Sequence, residues 1–506
     1  MKKHIIVIMI CIIVAGIFTR VYLGFQKEYF HMDEAYSYGL MNYNKLNIAD
    51  NEDFLNTWHN KEYYLDYLEV NKDEIFNLKP VWENQVNDVH PPLYYFLLRI
   101  VATFTVDNFT KWSGIILNII FYIISTIFVY LIGKMVFKSP YYALLLCFVN
   151  TFAGIGLNSV LYIRMYELSN LNILIITYLH IKLYQNKNNR IRDYLKLVPC
   201  LLLGGMTHYY YFVYVIGTYV VFSWFCIRNK RYKELKIYNV ICILSAIIYL
   251  VIWPYSLNHI LNGERGIEQN VSLHQLYSNL TEFLWIANKE FFYYLLPFLI
   301  LLIVIISRWK VKKRKNVKSN DSIKFLIFPL ILYFVLISKN TPYLEIRYLI
   351  PIYSVTIIVT IYYIKLYLKK FWSNKDTLFI ECFLFLIMCY IPFLIDKNFE
   401  YCYSKYNNIA ERVEEKDLPI VYVFNINENR FLDDIYLFTL SEKSVIINYD
   451  GLNIEKFKNL IEGEKHFLLI CNAGVEKEKF NEIFEEQEFM QKLNAAEIYE
   501  VQLKEN

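Results

Sequence analysis

Apolar runs of roughly 17 to 25 residues recur between Ile5 and Ile395, separated by short polar stretches. Each is long enough to cross about 30 Å of hydrocarbon as a helix. Lysine and arginine cluster in five of the separating stretches: Gly133 to Ser139, Lys182 to Lys196, Arg228 to Lys236, Arg308 to Lys318 and Lys365 to Lys375. The bias of basic residues toward the cytoplasmic side puts all five there, together with Lys2 and Lys3. Spans are then predicted over His4 to Leu23, Trp112 to Ile132, Tyr141 to Leu157, Leu168 to Leu183, Leu197 to Tyr209, Tyr211 to Ile227, Val240 to Pro254, Phe291 to Ser307, Ile323 to Ser338, Leu349 to Leu368 and Leu378 to Ile395. That makes about eleven transmembrane helices, with the C-terminus outside.

Pro91 to Thr105 is apolar enough to suggest one more span, but inserting it would turn Lys134 and Lys138 outward and invert every later basic stretch. It is expected instead as a juxtamembrane or partly re-entrant helix, starting just after Pro91-Pro92 where proline suits a first turn. A long first outer loop, residues 24 to 111, follows from this. Loops of such length usually carry function. Beyond Asp396 the pattern changes. Short β-type runs (Ile420 to Phe424, Ser444 to Asn448, His466 to Cys471) alternate with helical, charge-rich stretches (Leu432 to Leu440, Ile454 to Ile461, Lys477 to Glu486), which predicts a small α/β domain. The expected organisation is a membrane domain over residues 1–395 and an extracytoplasmic accessory domain over 396–506.

Composition agrees with the pattern. Of 506 residues 56% are hydrophobic and 18% aromatic, which places the chain in the membrane class. The formal net charge of +4 is small and sits in the short basic clusters, so it reports topology and not a nucleic-acid partner. Nine cysteines are scattered without a C-x-x-C pair, so neither a disulfide framework nor a zinc site is indicated. Lys2-Lys3 and the apolar stretch to Tyr22 have the outline of a secretory signal but lack an A-x-A-like cleavage site, so a retained first helix is expected.

Two segments of the first outer loop could carry chemistry. His31-Met32-Asp33-Glu34-Ala35-Tyr36 sets adjacent carboxylates beside a membrane surface, where they must be solvated, paired or used. Asp33 is either a helix N-cap or a general base that meets an acceptor hydroxyl. In Asp88-Val89-His90-Pro91-Pro92 the double proline stiffens the chain after His90, as suits either a structural hydrogen-bonding group or a substrate contact. Arg164 and Arg347 are expected on the same outer face within apolar sequence. Their guanidinium forks match phosphate oxygens, although snorkelling to lipid headgroups would place them there too. His208 lies in a tyrosine run, either lining a cavity or as a buried hydrogen-bonding group. The 46 tyrosines include interfacial belts, so Tyr36, Tyr94, Tyr209 and Tyr348 need not touch substrate.

An Asp-Glu pair directly after the first helix, followed by H-P-P-L-Y-Y, resembles glycosyltransferase family 39. This is the protein mannosyltransferase and aminoarabinose transferase group of the GT-C fold. Tyr162-Ile163-Arg164-Met165-Tyr166 resembles the family's R-x-Y segment, Thr207-His208-Tyr209 its T-H-Y turn, and Arg347-Tyr348-Leu349-Ile350-Pro351 its R-Y-L-x-P segment. The resemblance covers roughly Ile5 to Pro351 and departs from the family in two respects: no acid adjoins Arg164, the nearest being Glu167, and the substrate-contacting parts of the first loop are not recognisable. It implies a polyprenyl-phosphate-linked sugar donor, a hydroxyl acceptor (protein, lipid or glycan) and a site on the non-cytoplasmic face of the cell membrane. Asp33 and Glu34 would be its catalytic residues, and His90, Arg164, Tyr166, His208, Arg347 and Tyr348 its substrate contacts. No cofactor is expected. His31, Asp33, Glu34 and His90 are types that would allow a divalent cation, but no helical ligand spacing supports one. Two other readings of the chain stand beside this one: a lipid or polysaccharide exporter, and an envelope polysaccharide polymerase or ligase using diphosphate-linked donors.

Overall fold

The computed structural model describes residues 3–27, 29–42, 54–186, 188–261, 272–292, 319–341, 344–395, 407–425, 431–493 and 496–504, with isolated positions between them. The chain divides into two compact units. The first comprises residues 1–22, 85–94 and 115–399; the second comprises 23–84, 95–114 and 400–506.

The first unit is helical. Lys3–Gln26, Trp112–Phe137, Tyr210–Arg228, Tyr232–Ile252, Asp321–Asn340 and Ile346–Leu368 are each long and apolar enough to cross a membrane. The chain is therefore a multi-pass membrane protein. Among the other expected spans, Asn374–Ile395 is a helix of 22 residues and Tyr166–Gln185 one of 20. Leu197–Gly205 is helical over only 9 residues, because the turn at Thr207 ends it early. The expected span Phe291 to Ser307 lies largely outside the described residues.

The expected single span Tyr141 to Leu157 is instead a bent pair. Pro140–Phe152 and Gly154–Leu161 meet at 55°. Ala153 has extended backbone at the break (φ −63°, ψ 139°). Gly156 makes the bend possible, since a Cβ there would lie 2.3 Å from the Asn150 carbonyl oxygen. Arg20, buried in the first helix, donates to Gly156 O at 2.6 Å and lies 3.7 Å over the Tyr122 ring. A guanidinium among apolar helices is thus met by backbone carbonyls and an aromatic ring. Leu93–Ala102 is a 10-residue helix, too short to cross hydrocarbon, in keeping with its expected juxtamembrane character.

The second unit carries a six-stranded sheet in the order β1-β3-β2-β4-β6-β5. Strands β1 to β6 are Trp58–Asn60, Ile420–Phe424, Lys443–Asn448, His466–Cys471, Phe484–Leu493 and Ala496–Leu503. The three apolar runs of the tail form the central parallel strands β3, β2 and β4. All five residues of β2 are buried, as expected of a strand covered on both faces. Val421, Val423, Val445, Ile447, Phe467 and Leu469 build the core with Phe457 and Phe480. Two features went unread in the sequence. The expected helical stretch Lys477 to Glu486 is a 3-10 segment up to Ile483 and then enters β5, whose charged Glu485-Glu486-Gln487-Glu488 suits a solvent-washed edge strand as well as a helix. In addition, β1 comes from the first loop and pairs antiparallel with β3, Trp58 opposite Val445.

Helix packing in the first unit gives a direct test. A Cβ on Gly217, in Tyr210–Arg228, would lie 2.5 Å from Cα of Pro329 in the facing Lys324–Asn340 helix. Gly217→Val should push these helices apart and cost about 1–3 kcal/mol. This would be read as a lowered melting temperature of the detergent-solubilised protein.

Candidate active site

The acidic segment belongs to the second unit. Met32–Asn42 forms a helix that opens with Asp33 and Glu34, where carboxylates oppose the partial positive charge of free N–H groups. The two side chains have different fates. Glu34 is wholly buried, paired with the equally buried Lys27 ammonium at 3.0 Å, and accepts from the His31 N–H at 2.8 Å. Lys27 also donates to the Tyr401 carbonyl at 2.8 Å. Burial pulls the Lys27 pKa below its usual range, against the opposing pull of Glu34. Asp33 keeps 13% of its side chain exposed, with its Oδ2 3.9 Å from Nδ1 of His31. Of the adjacent carboxylates, one is a fully buried structural ion and the other is part-buried.

The tail fixes this helix within the same unit. The Met32 N–H donates to Asp433 Oδ1 at 2.7 Å, and the Tyr29 hydroxyl donates to Asp434 Oδ1. Asp434 is 3% exposed, and burial alone pushes its carboxyl up to about 8. Lys27, Asp433 and Asp434 were not singled out in the sequence. The adjacent aspartates within an apolar stretch of the tail were the available signal.

The remaining candidates belong to the first unit, on connections between helices. Arg164 lies between Gly154–Leu161 and Tyr166–Gln185, His208 between Leu197–Gly205 and Tyr210–Arg228, and Arg347 in the 3-10 turn Ile346–Tyr348. His90 precedes the double proline, and the Leu93 N–H donates to the Met206 carbonyl at 3.0 Å, tying that segment to the T-H-Y turn. These connections meet. The rings of His90 and His208 lie 6.2 Å apart, and those of His208 and Tyr166 5.7 Å apart. Tyr210 continues the series, 5.2 Å from His208 and 6.0 Å from Tyr348. The Arg347 guanidinium lies 5.4 Å from the Tyr348 ring centroid, with its Nε 2.9 Å from Glu345. Arg164, His208 and Arg347 are each at least 93% buried.

Asp88 joins this group. Its Oδ2 is 2.9 Å from Nδ1 of His90. Burial would raise the Asp88 pKa, but His90, the Val89 N–H and Arg164 outweigh it and hold the carboxyl below its usual range. Asp88, distant from Arg164 in sequence, is thus near enough in space to feel its charge. Glu167 instead accepts from Ser159 at 2.7 Å and Asn170 at 3.4 Å. The arrangement presents two guanidinium groups, two imidazoles and several phenols at one end of the helices. Such a set can hold an anion by charge and a sugar by hydrogen bonds and ring faces.

No protein-family model matches the chain, and no curated protein matches it in sequence. Two solved structures share its fold. The crystal structure of ArnT from Cupriavidus metallidurans bound to undecaprenyl phosphate superposes with a TM-score of 0.51 and 8% identity, covering 99% of this chain and 98% of that one. The apo form of the same protein gives 0.51 and 8%, covering 97% of each chain. The fold is thus the GT-C type implied by the sequence resemblance.

Two outcomes test the packing around Asp33. Lys27→Met strands a buried carboxylate and should cost about 3–5 kcal/mol. The double variant K27M/E34M should recover much of that loss in thermal unfolding. Because folding raises the Asp434 pKa, ionising that group opposes the folded state increasingly from about pH 4 up to about pH 8. Asp434→Asn should therefore raise the melting temperature at pH 8 and change it little at pH 4.

Proposed function

We propose that this protein is a membrane glycosyltransferase that moves a sugar from a polyprenyl-monophosphate carrier to a hydroxyl acceptor on the non-cytoplasmic face of the cell membrane. The observation that carries the reading is the convergence of Asp88-His90, Arg164-Tyr166, His208 and Arg347-Tyr348 from four separate helix connections of the first unit. The shared fold supports the donor class, since ArnT has been crystallised with undecaprenyl phosphate. The helix geometry supports the side of the membrane. Tyr166 and Gln185 bound one 20-residue helix, so the site and the basic connection after Gln185 are about 30 Å apart.

The chemistry is a single displacement. Asp33 takes the proton of the acceptor hydroxyl, whose oxygen forms a bond to the anomeric carbon. The bond from that carbon to the phosphate oxygen breaks, and its electron pair leaves with the lipid phosphate. Arg347, assisted by Arg164 and His208, stabilises the leaving phosphate, and the anomeric configuration inverts. Glu34, already paired with Lys27, positions the Asp33 helix, while His90, Tyr166 and Tyr348 orient the sugar and the acceptor.

Purified protein incubated with radiolabelled polyprenyl-monophosphate sugars should remove label from the lipid over time. Asp33→Asn should lower the rate by about a hundredfold or more while leaving expression and membrane insertion intact. Arg347→Ala should fall much further than Arg347→Lys. Wild-type turnover in Asp33→Asn would refute the base assignment. Labelled lipid that crosses the bilayer unchanged would point to an exporter, and turnover with diphosphate-linked donors alone would point to a polymerase or ligase.

A further inference from the structure

The other end of the first unit is hollow. A cavity of about 1120 Å³ is lined by residues including Leu131, Lys134, Lys138, Arg231 and Asn320. A second cavity of about 720 Å³ shares Lys138, Ser139 and Asn320 and adds Lys365, Lys369 and Lys375. Four of the five basic stretches of the sequence contribute residues to the walls of these cavities, and the fifth, Arg308 to Lys318, lies outside the described residues.

The charges there are unevenly matched. Arg231 is neutralised by Glu234 at 2.5 Å, and Asp321 by Lys324 at 2.8 Å. Lys365 is held over the Tyr142 ring at 3.8 Å and donates to the Phe137 carbonyl at 3.3 Å, with buried Glu381 close enough to act on it. Among the described residues, no salt bridge to a carboxylate engages Lys134, Lys138, Lys369 or Lys375. A topology signal requires only that such charges lie on one side of the membrane. It does not require that they line a cavity.

An exposed apolar stripe runs toward the cavity. On the Trp112–Phe137 helix, Ile116, Ile120, Ile124 and Ile127 are exposed and spaced to form one stripe. Continued along the helix, that stripe reaches Leu131 and Lys134 in the cavity wall. A ligand suited to both features has an anionic phosphate head and a hydrocarbon tail.

We infer that the paired cavities between the basic connections bind the phosphate headgroup of an anionic membrane lipid, with Lys134 and Lys138 holding the phosphate and the isoleucine stripe of Trp112–Phe137 receiving the acyl chain. This site lies at the end of the helices opposite the His90 and Arg347 group and takes no part in sugar transfer.

Native mass spectrometry of the full-length protein in detergent, titrated with phosphatidylglycerol or phosphatidylcholine, tests the assignment. The wild type should retain the anionic lipid more tightly. K134Q/K138Q should weaken its binding by about fivefold for each lysine removed, and K134R/K138R should keep it. Equal retention of the two lipids, or no loss in K134Q/K138Q, would overturn the proposal. Displacement of phosphatidylglycerol by millimolar inorganic phosphate would also overturn it, by showing a site for a soluble anion.

Discussion

Charge beside hydrocarbon is tolerated only where something answers it, and that constraint organises both units of this protein. In the first unit the Arg20 guanidinium is met by the Gly156 carbonyl, and the site arginines lie among Asp88, Glu345 and a series of aromatic rings. In the second unit Lys27 and Glu34 answer each other in full burial. The distribution of positive charge is informative. Positive charge gathers at one end of the helices near the H-P-P, R-x-Y, T-H-Y and R-Y-L segments, and again at the other end around two cavities. The helices between hold these groups about a membrane thickness apart.

The different fates of Asp33 and Glu34 show how burial separates a pair that looks uniform in sequence. Both begin the same helix. Only Glu34 points to Lys27, and its burial turns it into part of the scaffold; Asp33 keeps access to solvent. The tail contributes to the same scaffold, because Asp433 and Asp434 hold the chain on either side of His31. A domain that looked accessory is thus structurally continuous with the loop carrying the proposed base.

Much of this was legible because it depends on period and charge sign. The apolar runs gave the helices, four of the basic clusters gave connections that border the cavities, and Pro91-Pro92 marked the start of a short helix. The central strands of the tail were equally plain, since Ile420 to Phe424 can only be buried. What escaped were features set by long-range partners. Trp58–Asn60 is too short to read as a strand until β3 offers it a ladder, and the bend at Ala153 depends on a close approach that only Gly156 allows. The charged face of β5 has no period that separates an edge strand from an exposed helix. Asp88 was passed over because part of its setting comes from Arg164, distant in sequence yet near enough in space to act on its charge.

The central claim is that buried guanidinium groups at the end of the helices remote from the basic connections receive a lipid phosphate. A polyprenyl monophosphate bearing a photoreactive group next to its phosphate, crosslinked to the membrane-embedded protein and mapped by peptide mass spectrometry, addresses it most directly. Adducts within residues 162–166, 207–211 and 345–348 are the predicted result. Reproducible labelling that leaves all three of these segments unmodified would contradict the account.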